Sequence, residues 1–328
     1  MNFLTKVDIG KFPNSIEHDH SILTIGSCFA ENIGSYFTKY KFNSIVNPFG
    51  VLYNSESIKN SLQLTITNRK FTKGDLVFDQ DEWHSFFHHS SFSHHQPEQV
   101  VENINKASRS TNEFLSQVDW VIVTLGTSYV YRHKEKNIIV SNCHKIPQKE
   151  FTKEFLSVEQ NTANLKKIIK LIREKSPTSK FIFTVSPIRH WSDGAHNNQL
   201  SKASLHLGIE QVIKTEENVF YFPSYEIQID ELRDYRFYAK DMFHPSDEAV
   251  EYLWKRFSEV CLSEKCNRLV NEISKIVIAS EHRVRNIKSK KNQEFAADNI
   301  SKIKKIKEKY PYINFENELN KFYSYLDE

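Results

Sequence analysis

The chain has 328 residues, 26% of them charged and 39% hydrophobic, with 24 Phe, 8 Gly and 9 Pro. That length fits one large domain or a domain with an appendage, and the apolar content excludes a disordered or collagen-like chain. A net charge of only +3 gives no general argument for nucleic acid or an anionic membrane, and no apolar stretch approaches the ~20 residues of a membrane span. The opening MNFLTKVDIGKFPNSIEHDH lacks the apolar core and cleavage site of a signal peptide, so a cytoplasmic protein with reduced thiols is expected.

The first buried strand is read at Ile22–Ile25, and a helical pattern follows over Phe29–Tyr40. Ser44–Val46 and Val219–Phe222 are weaker strand candidates, while Trp120–Leu125 and Phe181–Val185 are strong ones. Helical patterns occupy Ser55–Thr65, Pro97–Ser116, Ser157–Lys175, Gln199–Lys214 and Ser246–Val260. This alternation predicts a parallel sheet covered on both faces. Beyond Val260 the strands stop, and residues 261–328 read as a basic helical extension of a domain spanning 1–260. Its Lys302–Lys309 stretch is read as the solvated face of a helix packing through Ile300, Ile303 and Ile306, rather than as a nucleic-acid patch.

The histidines at 84, 88, 89, 94 and 95 have no ligand-like spacing and read as an aromatic-rich surface loop, so no metal is expected. Cys28, Cys143, Cys261 and Cys266 match no structural zinc pattern. No organic cofactor is implied.

Two segments carry chemistry. In Ser21-Ile-Leu-Thr-Ile-Gly-Ser-Cys-Phe-Ala-Glu-Asn32 a buried strand ends at Gly26 and a helix begins near Cys28. Ser27 is thereby placed at the carboxyl edge of a sheet and beside a helix N-terminus, where ligands bind and developing negative charge is favoured. The plainer role for Ser27 is a helix cap. Cys28 is the rival nucleophile, since a helix N-terminus lowers a thiol pKa. In Tyr238-Ala-Lys-Asp241-Met-Phe-His244-Pro-Ser, a carboxylate three residues before an imidazole can hold one ring nitrogen and aim the other at a hydroxyl. Isolated Asp and His pairs are common on surfaces, but joined to a Ser at the first strand–helix turn they form a rarer set.

Gly26-Ser27-Cys28-Phe29-Ala30 resembles the signature of the GSCFA family, itself similar to the SGNH/GDSL hydrolases. Asn47-Pro-Phe-Gly50, Thr124-Leu-Gly126-Thr-Ser-Tyr-Val, Asn142-Cys-His-Lys-Ile-Pro147, Thr184-Val-Ser-Pro-Ile-Arg-His190, Ser201-Lys-Ala203 and Asp241-Met-Phe-His-Pro-Ser246 extend the likeness over about 20–260. The resemblance implies a flavodoxin-like three-layer α/β/α sandwich. It also implies a serine-dependent esterase acting on an O-acyl ester, such as an acetyl ester, of a carbohydrate or small molecule.

Carried over by motif, Ser27 is the nucleophile, His244 the base and Asp241 its orienter. The Ser27 and Gly50 amides, with Ser128 or Asn142 in place of a missing Asn, would hold the oxyanion. The usual Gly-Asp-Ser is Gly26-Ser27-Cys28 here, so a rigid alignment puts Cys28 in the nucleophile slot; Ser27 is preferred because a turn residue before the helix is expected to be the better exposed. Arg189 and His190 are candidates for binding an anionic or sugar-like substrate, with a structural ion pair as the plainer role. The expected partner is thus a small-molecule or glycan ester, without nucleic acid or membrane. Acyl transfer by the same triad, and a non-catalytic binding module on the same fold, are the alternatives.

Overall fold

The computed structural model describes residues 5–282 and 289–326. Its central sheet has five parallel strands, β1 (Ser21–Gly26), β2 (Asn43–Val46), β5 (Trp120–Leu125), β9 (Lys180–Val185) and β10 (Val219–Tyr221), in spatial order β10-β9-β5-β1-β2. Counted along the chain this is 2-1-3-4-5, the flavodoxin-like order, whose topological switch point lies between the carboxyl ends of β1 and β5.

The side-chain alternation of the strands builds two apolar layers. Ile22, Trp120, Ile122 and Ile182 face one side, where they meet helices α1 (Cys28–Lys39) and α7 (Asp247–Cys261). Leu23, Ile25, Val121, Val123, Phe181 and Phe183 face the other, against α2 (Ser55–Ile66), the end of α3 (Pro97–Leu115), α4 (Val158–Arg173) and α5 (Ala195–Ile213). A strand buried on both faces is apolar at nearly every position, which is why β1, β5 and β9 appear in the sequence as near-continuous runs broken only by the buried Thr24, Thr124 and Thr184. The result is the expected three-layer α/β/α sandwich.

A short turn, α6 (Ser224–Glu226), runs into a π-helical stretch at Ile227–Glu231 before α7. The C-terminal helices α8 (Glu264–Glu281), α9 (Lys290–Lys309) and α10 (Glu316–Tyr323) extend the first apolar layer: Ile273, Ile303 and Phe322 join one buried cluster with Phe37, Trp254 and Phe257. Lys41 and Glu318, 2.7 Å apart and both largely buried, tie the end of the chain back to the sheet domain.

Two smaller sheets lie outside the predicted elements. A hairpin pairs β3 (Val77–Asp79) with β4 (Glu82–His84). An antiparallel sheet of β6 (Tyr129–His133), β7 (Ile138–Val140) and β8 (Phe151–Phe155) is inserted between β5 and α4. The Leu156 N–H returns to the Ser128 carbonyl at 2.8 Å, so the insertion leaves and rejoins the core at one point. Among the described residues no helix is long and apolar enough to cross a membrane.

Candidate functional site

The switch point places three segments together: the β1–α1 turn at Ser27 and Cys28, the turn after β5 at Gly126–Ser128, and the loop after β9 ending in Arg189 and His190. His190 Nε2 approaches Gly126 so closely that a Cβ there would meet it at 3.0 Å, tight enough to press on the imidazole. Tyr53 closes the group, with its ring edge-on to His190 at 5.1 Å and its hydroxyl 3.7 Å from Cys28 Sγ.

The two turn residues are arranged opposite to expectation. Ser27 is 1% exposed and its Oγ has no hydrogen-bond partner, whereas Cys28 is half-buried. The cause is a backbone pairing: the Ser27 N–H donates to the Thr124 carbonyl at 3.0 Å, so the chain is still held against β5 at Ser27 and turns into the helix only at Cys28. Ser27 occupies the N-cap position of α1, yet its side chain makes no cap bond. Burial pushes the Cys28 thiol pKa up, a hydrogen bond with Tyr53 acting against this, so the helix N-terminus does not produce a low-pKa thiol here.

Asp241 and His244 do come together. Asp241 Oδ1 accepts the N–H groups of Phe243 at 2.9 Å and His244 at 3.0 Å, and Oδ2 lies 2.6 Å from His244 Nδ1. Those backbone amides and the imidazole hold the Asp241 carboxyl at about 2, below the usual carboxylate range. Met242 takes the left-handed conformation (φ +64) that lets the turn close, and Ser246 caps α7 by accepting the Ala249 N–H. The loop is also stitched by Ala239 N–H to the His244 carbonyl and Ser246 N–H to the Phe237 carbonyl, at 2.8 and 2.9 Å. His244 Nε2 carries no hydrogen bond among the described residues. Phe243 stacks on Trp191 at 5.4 Å, which brings this loop against the one carrying His190.

Of the groups expected to hold an oxyanion, the Ser27 and Gly50 amides and the Ser128 hydroxyl donate elsewhere, while the Asn142 side chain is engaged only through its oxygen. Besides the Ser27 amide, the Gly50 N–H is committed to the Asn47 carbonyl at 2.8 Å. The Ser128 hydroxyl donates to the Ser201 carbonyl at 3.0 Å and accepts from Asn161, inside a fully buried network. Asn142 Oδ1 accepts the His144 N–H at 2.9 Å, and its side chain lines a cleft beside His190. The amides of Cys28 and Phe29 stand in the first turn of α1, which leaves them without an acceptor inside the helix; they belong to the helix N-terminus expected beside Ser27.

Arg189 is turned along α5, donating to Asn198 Oδ1 at 3.3 Å and the Ala195 carbonyl at 3.4 Å and lying over Trp191. His190 is pushed down to about 4 by burial and by the positive charges of Lys202, His244 and Lys153, with Asp193 opposing. Lys202 was not singled out by its sequence context as a site group, yet it is fully buried, with Nζ donating to the Ser186 carbonyl at 2.7 Å. His84 and His144 stack at 4.7 Å in a buried aromatic cluster; among the described residues no group of three or more His, Cys, Asp or Glu is placed to hold a metal.

A model described as the GSCFA family matches residues 21–257, and one described as GSCFA domain protein, C-terminal domain, matches residues 273–328. The second region lies within the helical extension, beyond the stretch of about 20–260 over which the sequence motifs carry a likeness. No curated protein matches the chain. Among solved structures, a Streptococcus pneumonia chain provisionally described as a platelet activating factor aligns with 74% of this chain and 83% of its own length, at 13% identity and a TM-score of 0.35. That likeness is too weak to bear on topology or function.

Proposed function

This chain belongs to the GSCFA family, and from that premise we propose that it is an ester hydrolase of the SGNH type, cleaving an O-acyl ester through a nucleophile on the β1–α1 turn. The observation that carries the reading is the Asp241–His244 pair, with one imidazole nitrogen fixed by the carboxylate and the other unpartnered. The resemblance of Gly26–Ala30 and Asp241–Ser246 to the first and last SGNH motifs supports it.

The geometry favours Cys28 over Ser27 as the nucleophile. Cys28 is the more exposed, it opens the helix, and its alignment with the last position of Gly-Asp-Ser needs no shift. Because its thiol is not acidified, attack on the ester carbonyl requires His244 to take the thiol proton as the C–S bond forms. The first-turn amides of α1 face the resulting oxyanion. His244 then returns the proton to the departing alkoxide. Water attacks the thioester with His244 again as base, and the acid leaves with the thiol restored. Transfer to a second alcohol differs only in replacing water. Ser27 is kept as a second reading by one observation, its buried hydroxyl without a partner.

The test is turnover of p-nitrophenyl acetate together with labelling by a fluorophosphonate and by iodoacetamide, each mapped by peptide mass. The wild type is compared with Cys28→Ala, Ser27→Ala and His244→Ala. Loss of turnover in Cys28→Ala and His244→Ala, with retention in Ser27→Ala, supports the thiol reading; the reverse pattern for the two turn variants supports the serine. A folded wild type with neither turnover nor a His244-dependent adduct points instead to a non-catalytic module.

A further inference from the structure

A cleft of about 380 Å³ opens beside His190. The inserted sheet supplies one wall, with Tyr129, Tyr131 and the following Asn142; Tyr53 and the loop at His190–Asp193 supply the other. Tyr53 links it to the β1–α1 turn: the residue lines the cleft, and its hydroxyl lies 3.7 Å from Cys28 Sγ.

The charges at this cleft are already answered. Lys153 lies over the Tyr129 ring at 4.2 Å and forms an ion pair with Asp193. Burial keeps His190 neutral at pH 7. Beyond the Lys153–Asp193 pair, the lining is uncharged: the tyrosine rings and hydroxyls, Val140, Cys143, Ser192, and Asn142, whose side-chain oxygen is occupied by His144 and whose amide nitrogen is left over. A carboxylate ligand would find no free cation among the described residues that line the cleft, and an alkyl chain would strip water from hydroxyl and amide groups without replacing their hydrogen bonds. A pyranose ring offers both faces required, C–H groups for aromatic rings and hydroxyls for the amide and alcohols.

We infer that this cleft is a saccharide subsite, binding a neutral sugar and presenting an ester on it to the β1–α1 turn. The presentation rests on the ester-hydrolase reading, whereas the binding does not. The role of the β6–β8 insertion follows: it adds a recognition wall to the sheet edge that holds the reacting groups.

Saturation-transfer NMR on the full chain, with neutral mono- to trisaccharides of glucose, xylose and N-acetylglucosamine as probes and hexanoate as the anionic control, tests the inference. Saturation of at least one sugar series is expected, hexanoate giving none. Tyr131→Ala and Asn142→Ala should each weaken binding about tenfold, while Tyr131→Phe retains the ring and most of the affinity. Absence of sugar signal, equal binding by both alanine variants, or displacement of sugar by hexanoate overturns it. Sugar binding without ester turnover leaves the subsite standing and removes the hydrolase reading; turnover of p-nitrophenyl acetate without sugar binding does the converse.

Discussion

Asp241 and His244 form a closed unit in which one carboxylate oxygen takes two backbone N–H groups and the other sits 2.6 Å from the imidazole Nδ1. Asp241→Asn preserves the turn through Oδ1 but favours the wrong imidazole tautomer. It should lower kcat by about 10³–10⁴-fold with little change in KM. Because Asp241 titrates near 2, the acid limb of the wild-type kcat/KM profile should not follow its protonation. Steady-state rates between pH 3 and 9 check both statements.

Ser27 and Cys28 predict opposite mutational outcomes. Ser27→Ala removes a buried hydroxyl that makes no hydrogen bond, so stability should be unchanged or raised by up to about 1 kcal/mol. Cys28→Ala should unfold no more readily while losing turnover. The raised thiol pKa predicts slow alkylation of Cys28 at pH 7, accelerating as pH rises beyond the ordinary thiol range. Urea melts and iodoacetamide rates at stepped pH read these effects.

Ser128 occupies the sequence position of an oxyanion donor, yet its hydroxyl is bound to Ser201 and Asn161. Ser128→Ala should destabilise the fold by about 1–2 kcal/mol and leave kcat within a few-fold. A fall of roughly 10²-fold in kcat at undiminished stability would return Ser128 to the site.

Lys202 connects burial to pH. Burial, with Arg189 nearby, lowers its folded pKa to about 7 from an ordinary 10.5. Between those values the unfolded chain holds a proton that the folded chain lacks, so stability contributed through Lys202 rises with pH across this window and is flat outside it. Lys202→Met should abolish that rise. Denaturant midpoints at pH 6.5 and 9, compared between wild type and variant, measure the difference.

Phe322 is fully buried against the cluster that also holds Phe37 and Phe257. Phe322→Ala should cost about 3–5 kcal/mol, and it should lower the midpoint of one transition involving the sheet domain as well as the C-terminal helices. Separate transitions followed by tryptophan fluorescence and far-ultraviolet dichroism would show that the helices fold independently.

Much of the architecture is legible locally. β1, β5 and β9 are doubly buried and therefore read as apolar runs, and the helices between them show their period. The β6–β8 sheet escapes such a reading because Arg132, Lys153 and Glu154 break its short strands into half-exposed, mixed segments. Asp241 and His244 are three residues apart, so their pairing needs only a turn and is visible as a motif.

Sequence alone determined the α/β alternation, the family signature and the local Asp241–His244 pairing, since each depends on residues close together along the chain or on burial of a whole strand. Tertiary structure decided which side chain of the β1–α1 turn meets solvent, which of the nearby amides and hydroxyls are already hydrogen-bonded, and which walls form the cleft. Those outcomes hang on pairings such as Ser27 N–H to Thr124 O and Ser128 to Ser201, between segments about 70–100 residues apart. The energy of such contacts exists only once the sheet has brought its carboxyl edges together.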